Sequence, residues 1–417
     1  MKSTRKYLAN YAESEASIAK DLLCTEDTSL WQYCLVIPAY KESEVFYQRL
    51  VSSLLKQHAV LLVLVINQPD NLVSTDNSNT RLWRKLIDCT VEQQSWGHLQ
   101  LRDIPHTRSA LLLVDRFSPN RVIPEKQGVG LARKIGADIA LSLIDNANIT
   151  HPWIYTSDAD AHLPSNYFTA LDNDISIRGQ NQSAAAIYPF KHQCDDTPVG
   201  QATRLYEQRM YQYVDGLDSA GSPYAFQTIG STIAVSAGHY AQVRGFPKRS
   251  GGEDFYLLNK LAKTGAINKL QAPTIIIEVR QSDRVPFGTG PAISKLLLEK
   301  NLNEANIFYH PQIFIELKAW LDAMPASQTN DLGQLNLSTS SLSGLKEIGA
   351  IKGIKAARKI ATSAQSYEKH MDTWFDAFKT LKFIHYLQEN DYPSISASDL
   401  KEACQNLGKT SISLFNE

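Results

Sequence analysis

Residues Trp153 to His162 read WIYTSDADAH. A short run of buried-strand character leads straight into Asp158 and Asp160, one residue apart. An extended chain would put both carboxylates on the same side of the backbone, with His162 continuing the alternation. A hard divalent cation takes oxygen ligands and keeps phosphate oxygens in its shell, so such a pair suits metal-bound phosphate. In an open α/β sheet, the carboxyl end of a strand is also where ligands sit. Two surface aspartates in a turn is the bland alternative, and the tripeptide alone leaves it open.

Working outward, short apolar runs alternate with longer amphipathic ones, the pattern of a mostly parallel sheet covered by helices. Cys34 to Ile37 (CLVI) is predicted as a buried strand stopping at Pro38, followed by a helix from about Glu44 to Gln57. Ala59 to Ile66 (AVLLVLVI) is a second strand, and the polar stretch from there to Thr80 is expected as a loop. Leu111 to Val114 is a third strand, Gly130 to Leu143 a helix, and Trp153 to Thr156 a fourth strand. Ser183 to Tyr188, Thr232 to Val235 and Thr274 to Val279 complete the strand candidates. The expected division is a helical lead-in over 1–32, an α/β catalytic domain over 33–330 and a mainly helical region over 331–417. Within the last, Leu332 to Leu345 is rich in Ser, Asn and Thr and reads as a linker or surface loop. His370 to Gln388 reads as one helix.

The 417 residues carry 42 Lys and Arg against 43 Asp and Glu, a net charge of −1, which gives no whole-chain case for nucleic-acid binding. Hydrophobic residues at 43% and charged residues at 20% fit a globular chain. The longest apolar run, Ala59 to Ile66, is strand-sized, too short to cross a bilayer. The N-terminus has a basic start but no apolar core, so no secretory signal is expected. Five scattered cysteines without a CxxC argue against a disulfide framework or a thiolate zinc site. The expected location is cytoplasmic.

Three further stretches join the aspartate pair. The first strand continues Val36-Ile37-Pro38-Ala39-Tyr40-Lys41-Glu42, KQGVGLARKIG spans Lys126 to Gly136, and GGEDFYLLNKLAKTG spans Gly251 to Gly265. In this order, over about Tyr33 to Gly265, the four resemble the motifs of family 2 glycosyltransferases. The resemblance implies a GT-A fold, a nucleotide-sugar donor, and Mn²⁺ or Mg²⁺ as cofactor. The acceptor would be a sugar, a lipid-linked group or a small molecule. By the same resemblance, Pro38, Tyr40 and Glu42 line the nucleotide pocket and Arg133 reaches the base or diphosphate. Asp158 contacts ribose or metal, Asp160 holds the metal, and His162 or His310 supplies a third ligand. Asp254, or else Glu253, is the general base of an inverting transfer. The chain departs from the family after the second strand, where Asn67-Gln68-Pro69-Asp70 stands in place of an acidic pair; Asn67 could hydrogen-bond a base through its amide. The loop Val279 to Gly290 reads either as an anion-contacting lid or as a surface turn.

A dinucleotide dehydrogenase is disfavoured because Arg133 stands where a third glycine would be needed after Gly128 and Gly130. A nucleotidyltransferase of similar fold and a catalytically degenerate nucleotide-sugar-binding scaffold remain as alternatives. Finally, Leu345 to His370 mixes lysines with isoleucines. Peripheral contact with an anionic membrane is one reading and packing against the catalytic domain the other.

Overall fold

The computed structural model describes residues 2–22, 30–71, 77–178, 183–279 and 288–406. The chain divides into two compact units. One comprises Met1–Gln193 with Thr228–Pro291, the other Cys194–Gln227 with Ala292–Glu417. The break expected near residue 330 falls inside the second unit, and the lead-in belongs to the first.

The first unit is built on twelve strands among the described residues: β1 (Tyr33–Ala39), β2 (Val60–Asn67), β3 (Val91–Trp96), β4 (Leu99–Asp103), β5 (Ala110–Arg116), β6 (Trp153–Thr156), β7 (Ala161–His162), β8 (Ser183–Ile187), β9 (Phe190–Gln193), β10 (Ile233–Ser236), β11 (Ala266–Lys269) and β12 (Ile275–Glu278). Nine form one sheet in the order β11-β8-β10-β6-β1-β2-β5-β4-β3, and β7-β12-β9 form a small one. Every position of β1 and β2 is buried. Strands covered on both faces must be apolar throughout, which is why these two are continuous runs. In strand direction the sheet is mostly parallel, as expected, with seven of the nine strands running the same way and only β10 and β4 reversed. The core β6-β1-β2-β5 is parallel, but β10 runs antiparallel between β6 and β8, and β4 and β3 add an antiparallel edge. Tight connections such as that between β3 and β4 permit only antiparallel pairing.

The helix Gly128–Asp145 lies on this sheet, with Ala132, Ile135, Ile139 and Ala140 at or near zero exposure. It is apolar nearly all round because it is enclosed nearly all round. The lead-in helices Lys2–Asn10 and Ser14–Leu22 help to enclose it. Asp138, fully buried in the long helix, accepts hydrogen bonds from the Tyr7 and Tyr240 hydroxyls, Lys134 Nζ and the Glu13 backbone N–H. A buried carboxylate with four donors is tolerated where an unpaired one is not, so this network fixes the helix that carries Arg133.

The second unit is helical. Helices Gln312–Ala323, Thr339–Glu347, Ala350–Ile360, Ala364–Trp374 and Ala377–Asn390 share a core that includes Phe314, Trp320, Leu345, Ile354, Tyr367 and Phe383. Two expectations are corrected here. The Ser-rich stretch contains a helix, with Leu345 fully buried. The helix expected over His370 to Gln388 is two, parted at Phe375 and Asp376, where Asp376 caps the second by accepting from Lys379 N–H. Among the described residues no helix is long and apolar enough to cross a membrane.

Candidate active site

Arg133 is 2% exposed and points off its helix toward the end of β6. Its Nη2 donates to Asp158 Oδ1 at 2.8 Å and its Nε to Glu253 Oε1 at 3.1 Å. Its Nη1 donates to the Ser157 and Gly230 carbonyls, each at 3.3 Å. A planar fork of five donors suits such a junction, where an ammonium would not. Burial alone would lower the guanidinium pKa, but the facing carboxylates of Asp158 and Glu253 outweigh that and raise it. The group is a fixed positive charge joining the strand-end motif to the Glu-Asp motif. Gly230 permits the approach, since a Cβ there would lie 2.5 Å from Arg133 Nη2.

Glu253 and Asp254 open the helix Glu253–Leu261, which follows Gly252 at φ +68° and is anchored by the fully buried Leu257, Leu258 and Leu261. The structure separates the two acids. Glu253 is buried and committed to Arg133. Asp254 keeps part of its surface open and accepts from the Phe255 N–H at 2.7 Å. Loss of water around its carboxyl, and then the charge of Glu253, push its pKa up to about 7, with Arg133 offsetting part. A carboxyl held near neutrality can exist in both protonation states at neutral pH.

Beyond Asp158 the chain turns. The Ala161 N–H donates to the Asp158 carbonyl at 3.1 Å, so Asp158, Asp160 and His162 do not alternate along one extended strand as expected. The reason is that β6 ends at Thr156 and β7 belongs to the other sheet. His162 Nε2 lies 2.7 Å from Glu278 Oε1, which also accepts from Arg49 Nη1 at 2.6 Å. Arg49 Nη2 holds the Ala159 carbonyl at 3.2 Å and the Glu278 N–H holds that of Asp160 at 2.9 Å. Arg49 and Glu278 thus brace the aspartate turn, and neither was singled out from the sequence. Among the described residues no three His, Cys, Asp or Glu side chains converge as metal ligands. His310 belongs to the second unit, where its Nδ1 accepts from the Gln312 N–H at 3.1 Å.

At the ends of β1 and β2, Asn67 is buried and its amide nitrogen donates to the Ala39 carbonyl at 3.1 Å. Asn79 completes the fastening by donating to the Asn67 carbonyl and accepting from the Lys41 N–H. Pro38 is buried within β1, Tyr40 is partly exposed beside Lys41, whose ammonium lies 5.5 Å from its ring centroid, and Glu42 follows on the same loop. Ser157, fully buried next to Asp158, has an Oγ without a hydrogen-bond partner among the described residues. Such orphaned groups are usually completed by a bound molecule or water. Most of the loop Val279 to Gly290, residues 280–287, lies outside the described residues.

No protein-family profile matches the chain, and no curated protein matches it in sequence. Among solved structures it is similar to S. aureus TarS 1-349 in complex with UDP-GlcNAc, at 10% identity and a TM-score of 0.38, covering 91% of this chain and 92% of that one. It is also similar to the mannosyltransferase PcManGT from Pyrobaculum calidifontis in complex with GDP-Man and Mn2+, at 14% identity and a TM-score of 0.34, covering 93% and 96%.

The site brings together Arg133, Ser157, Asp158, Gly230, Glu253 and Asp254, all within the first unit. Chemically, it offers one fixed cation, two carboxylates bound to it, and a third carboxyl poised near neutrality.

Proposed function

We propose that this chain is a GT-A type glycosyltransferase that moves a sugar from a nucleotide-diphosphate donor to an acceptor hydroxyl with inversion. The observation that carries the reading is the division of labour around Arg133. Its guanidinium binds Glu253 and Asp158 and leaves Asp254 beside them with a carboxyl pushed up to about 7. In this reading Asp254 takes the proton from the acceptor oxygen as that oxygen attacks the anomeric carbon, and Glu253 positions the arginine. Asp158 and the orphaned Ser157 Oγ face the donor, and Tyr40 and Glu42 border the nucleotide.

The donor set fits a cation that arrives with substrate. Magnesium and manganese keep water and phosphate ligands and need only one or two carboxylates from the protein. Asp160, with the Asp158 oxygen that Arg133 does not engage, would hold it, and there it would neutralise charge on the departing diphosphate. His162 is taken up by Glu278.

The test is a matched pair. Asp254→Asn should lower turnover by ~10²–10⁴-fold while donor affinity holds, the usual contribution of a positioned base. Glu253→Gln should weaken donor binding through Arg133 and lower turnover less. Equal and modest losses in both variants would reduce the acidic pair to helix-start electrostatics.

A further inference from the structure

We propose that the exposed face of the helix Ala350–Ile360 docks this chain on an anionic lipid bilayer. The helix is AIKGIKAARKI and contains no acidic residue. Its inner side, Ala350, Gly353, Ile354 and Ala357, is buried, with Gly353 packed so closely on the Trp374 indole that a Cβ would meet it at 2.4 Å. The helix is therefore fixed on its unit and presents one constant face outward.

Six exposed residues make up that face: Ile351, Lys352, Lys355, Ala356, Lys359 and Ile360. Positions four apart lie above one another on a helix, so Ile351, Lys355 and Lys359 form one row and Lys352, Ala356 and Ile360 the next. Among the described residues none of the three lysines has a hydrogen bond or ion pair. Arg358 is different, being turned to Asp331 and to the Ser327 and Asn330 carbonyls. Ile351 and Ile360, 42% and 56% exposed, stand at the two ends of the lysine array.

The composition selects the occupant. Lysines are flexible point charges, suited to a fluid array of headgroups that offers no fixed fork geometry. An anionic bilayer attracts such a cluster, and it also gives the flanking isoleucines an acyl boundary to enter. A soluble polyanion would leave both isoleucines in water. The proposal is independent of the transfer chemistry, which resides in the other unit.

The experiment is flotation of the full chain with phosphatidylcholine vesicles, with or without phosphatidylglycerol, at low and high salt. The chain should float with the anionic vesicles only, and high salt should release it. Replacing Lys352, Lys355 and Lys359 together by Gln should weaken binding roughly 100-fold, about five-fold per lysine. Ile351→Ser with Ile360→Ser should weaken it as well while the three lysines remain. All five positions are exposed, so unchanged melting temperatures are expected to accompany these losses. Four results would overturn the proposal: no flotation with anionic vesicles at low salt, equal flotation with neutral ones, full binding by the lysine variant, or capture by soluble polyphosphate without vesicle binding.

Discussion

Replacing Asp254 by Asn removes a charge that folding penalises, so the variant should be more stable than the parent at alkaline pH. The Asp254 carboxyl rises from its ordinary 3.8 to about 7 on folding. A carboxyl whose pKa rises binds its proton more tightly in the folded chain, so stability is lost as pH climbs between those values. At 1.36 kcal/mol per unit, the full penalty above pH 7 would be about 4 kcal/mol. Part of the shift is repulsion shared with Glu253 and the residue keeps part of its surface open, so ~2 kcal/mol is the working figure. For a unit of this size that corresponds to roughly 4 °C in melting temperature. Thermal melts of both proteins across pH 4 to 8.5 should show the variant's advantage near full size at pH 8 and nearly gone at pH 4. Turnover by the parent should fall about tenfold per pH unit below pH 7, because the base must be ionised. An advantage that is the same at pH 4 and pH 8, or a variant less stable at pH 8, would refute the reasoning.

Arg133→Ala should cost about 3–5 kcal/mol by leaving Asp158 and Glu253 facing each other uncompensated, seen as a lower melting temperature; Arg133→Lys should recover only part, because one ammonium cannot serve four acceptors. Gly230→Ala places a methyl 2.5 Å from Arg133 Nη2, and the displaced guanidinium should lower stability by about 1–3 kcal/mol and weaken donor binding in the same titration. Asp160→Asn should abolish the manganese-dependent part of donor stabilisation in a thermal-shift assay, whereas His162→Ala, already held by Glu278, should retain it.

Much of the first unit was legible because burial on both faces leaves a continuous apolar run. The strands at Cys34, Ala59 and Trp153 are legible for that reason, and all of them lie in the parallel core. The β3–β4 hairpin was not legible. All six positions of β3 (VEQQSW) are exposed, so no alternation marks it. The helix Pro198–Ser219 was also missed, since only six of its 22 residues are buried and several of those are polar or glycine. The Ser-rich stretch misled because its serines have structural work. Ser338 caps a helix, and Ser338 and Ser341 both donate to the buried Glu316. Composition alone does not distinguish that from a linker.

For the candidate site, Arg133, Asp158 and Glu253 stand out in local motifs, and hydrogen bonds join them in the structure, with Asp254 next in the chain to Glu253. Residues that act only through distant partners do not stand out. Arg49 reaches Glu278 across 229 residues and Gly230 meets Arg133 across 97, and no short-range pattern encodes such pairs. The expected alternation of Asp158, Asp160 and His162 failed because the strand ends before the aspartates, which periodicity does not reveal without a strand boundary. The Asn67 amide, a candidate base contact from the sequence, fastens two strand ends.

The most direct measurement is incubation of the purified chain with UDP-, GDP-, CMP- and TDP-sugars, each with and without manganese, following both melting temperature and nucleotide release. One donor class should stabilise the fold by roughly 2.7 kcal/mol at a hundred times its dissociation constant, and its nucleotide should be released by the parent chain, with water taking the sugar in place of the acceptor, ~10²–10⁴-fold faster than by Asp254→Asn. Absence of stabilisation and of nucleotide release with every donor would contradict the assignment of this chain as a nucleotide-sugar transferase.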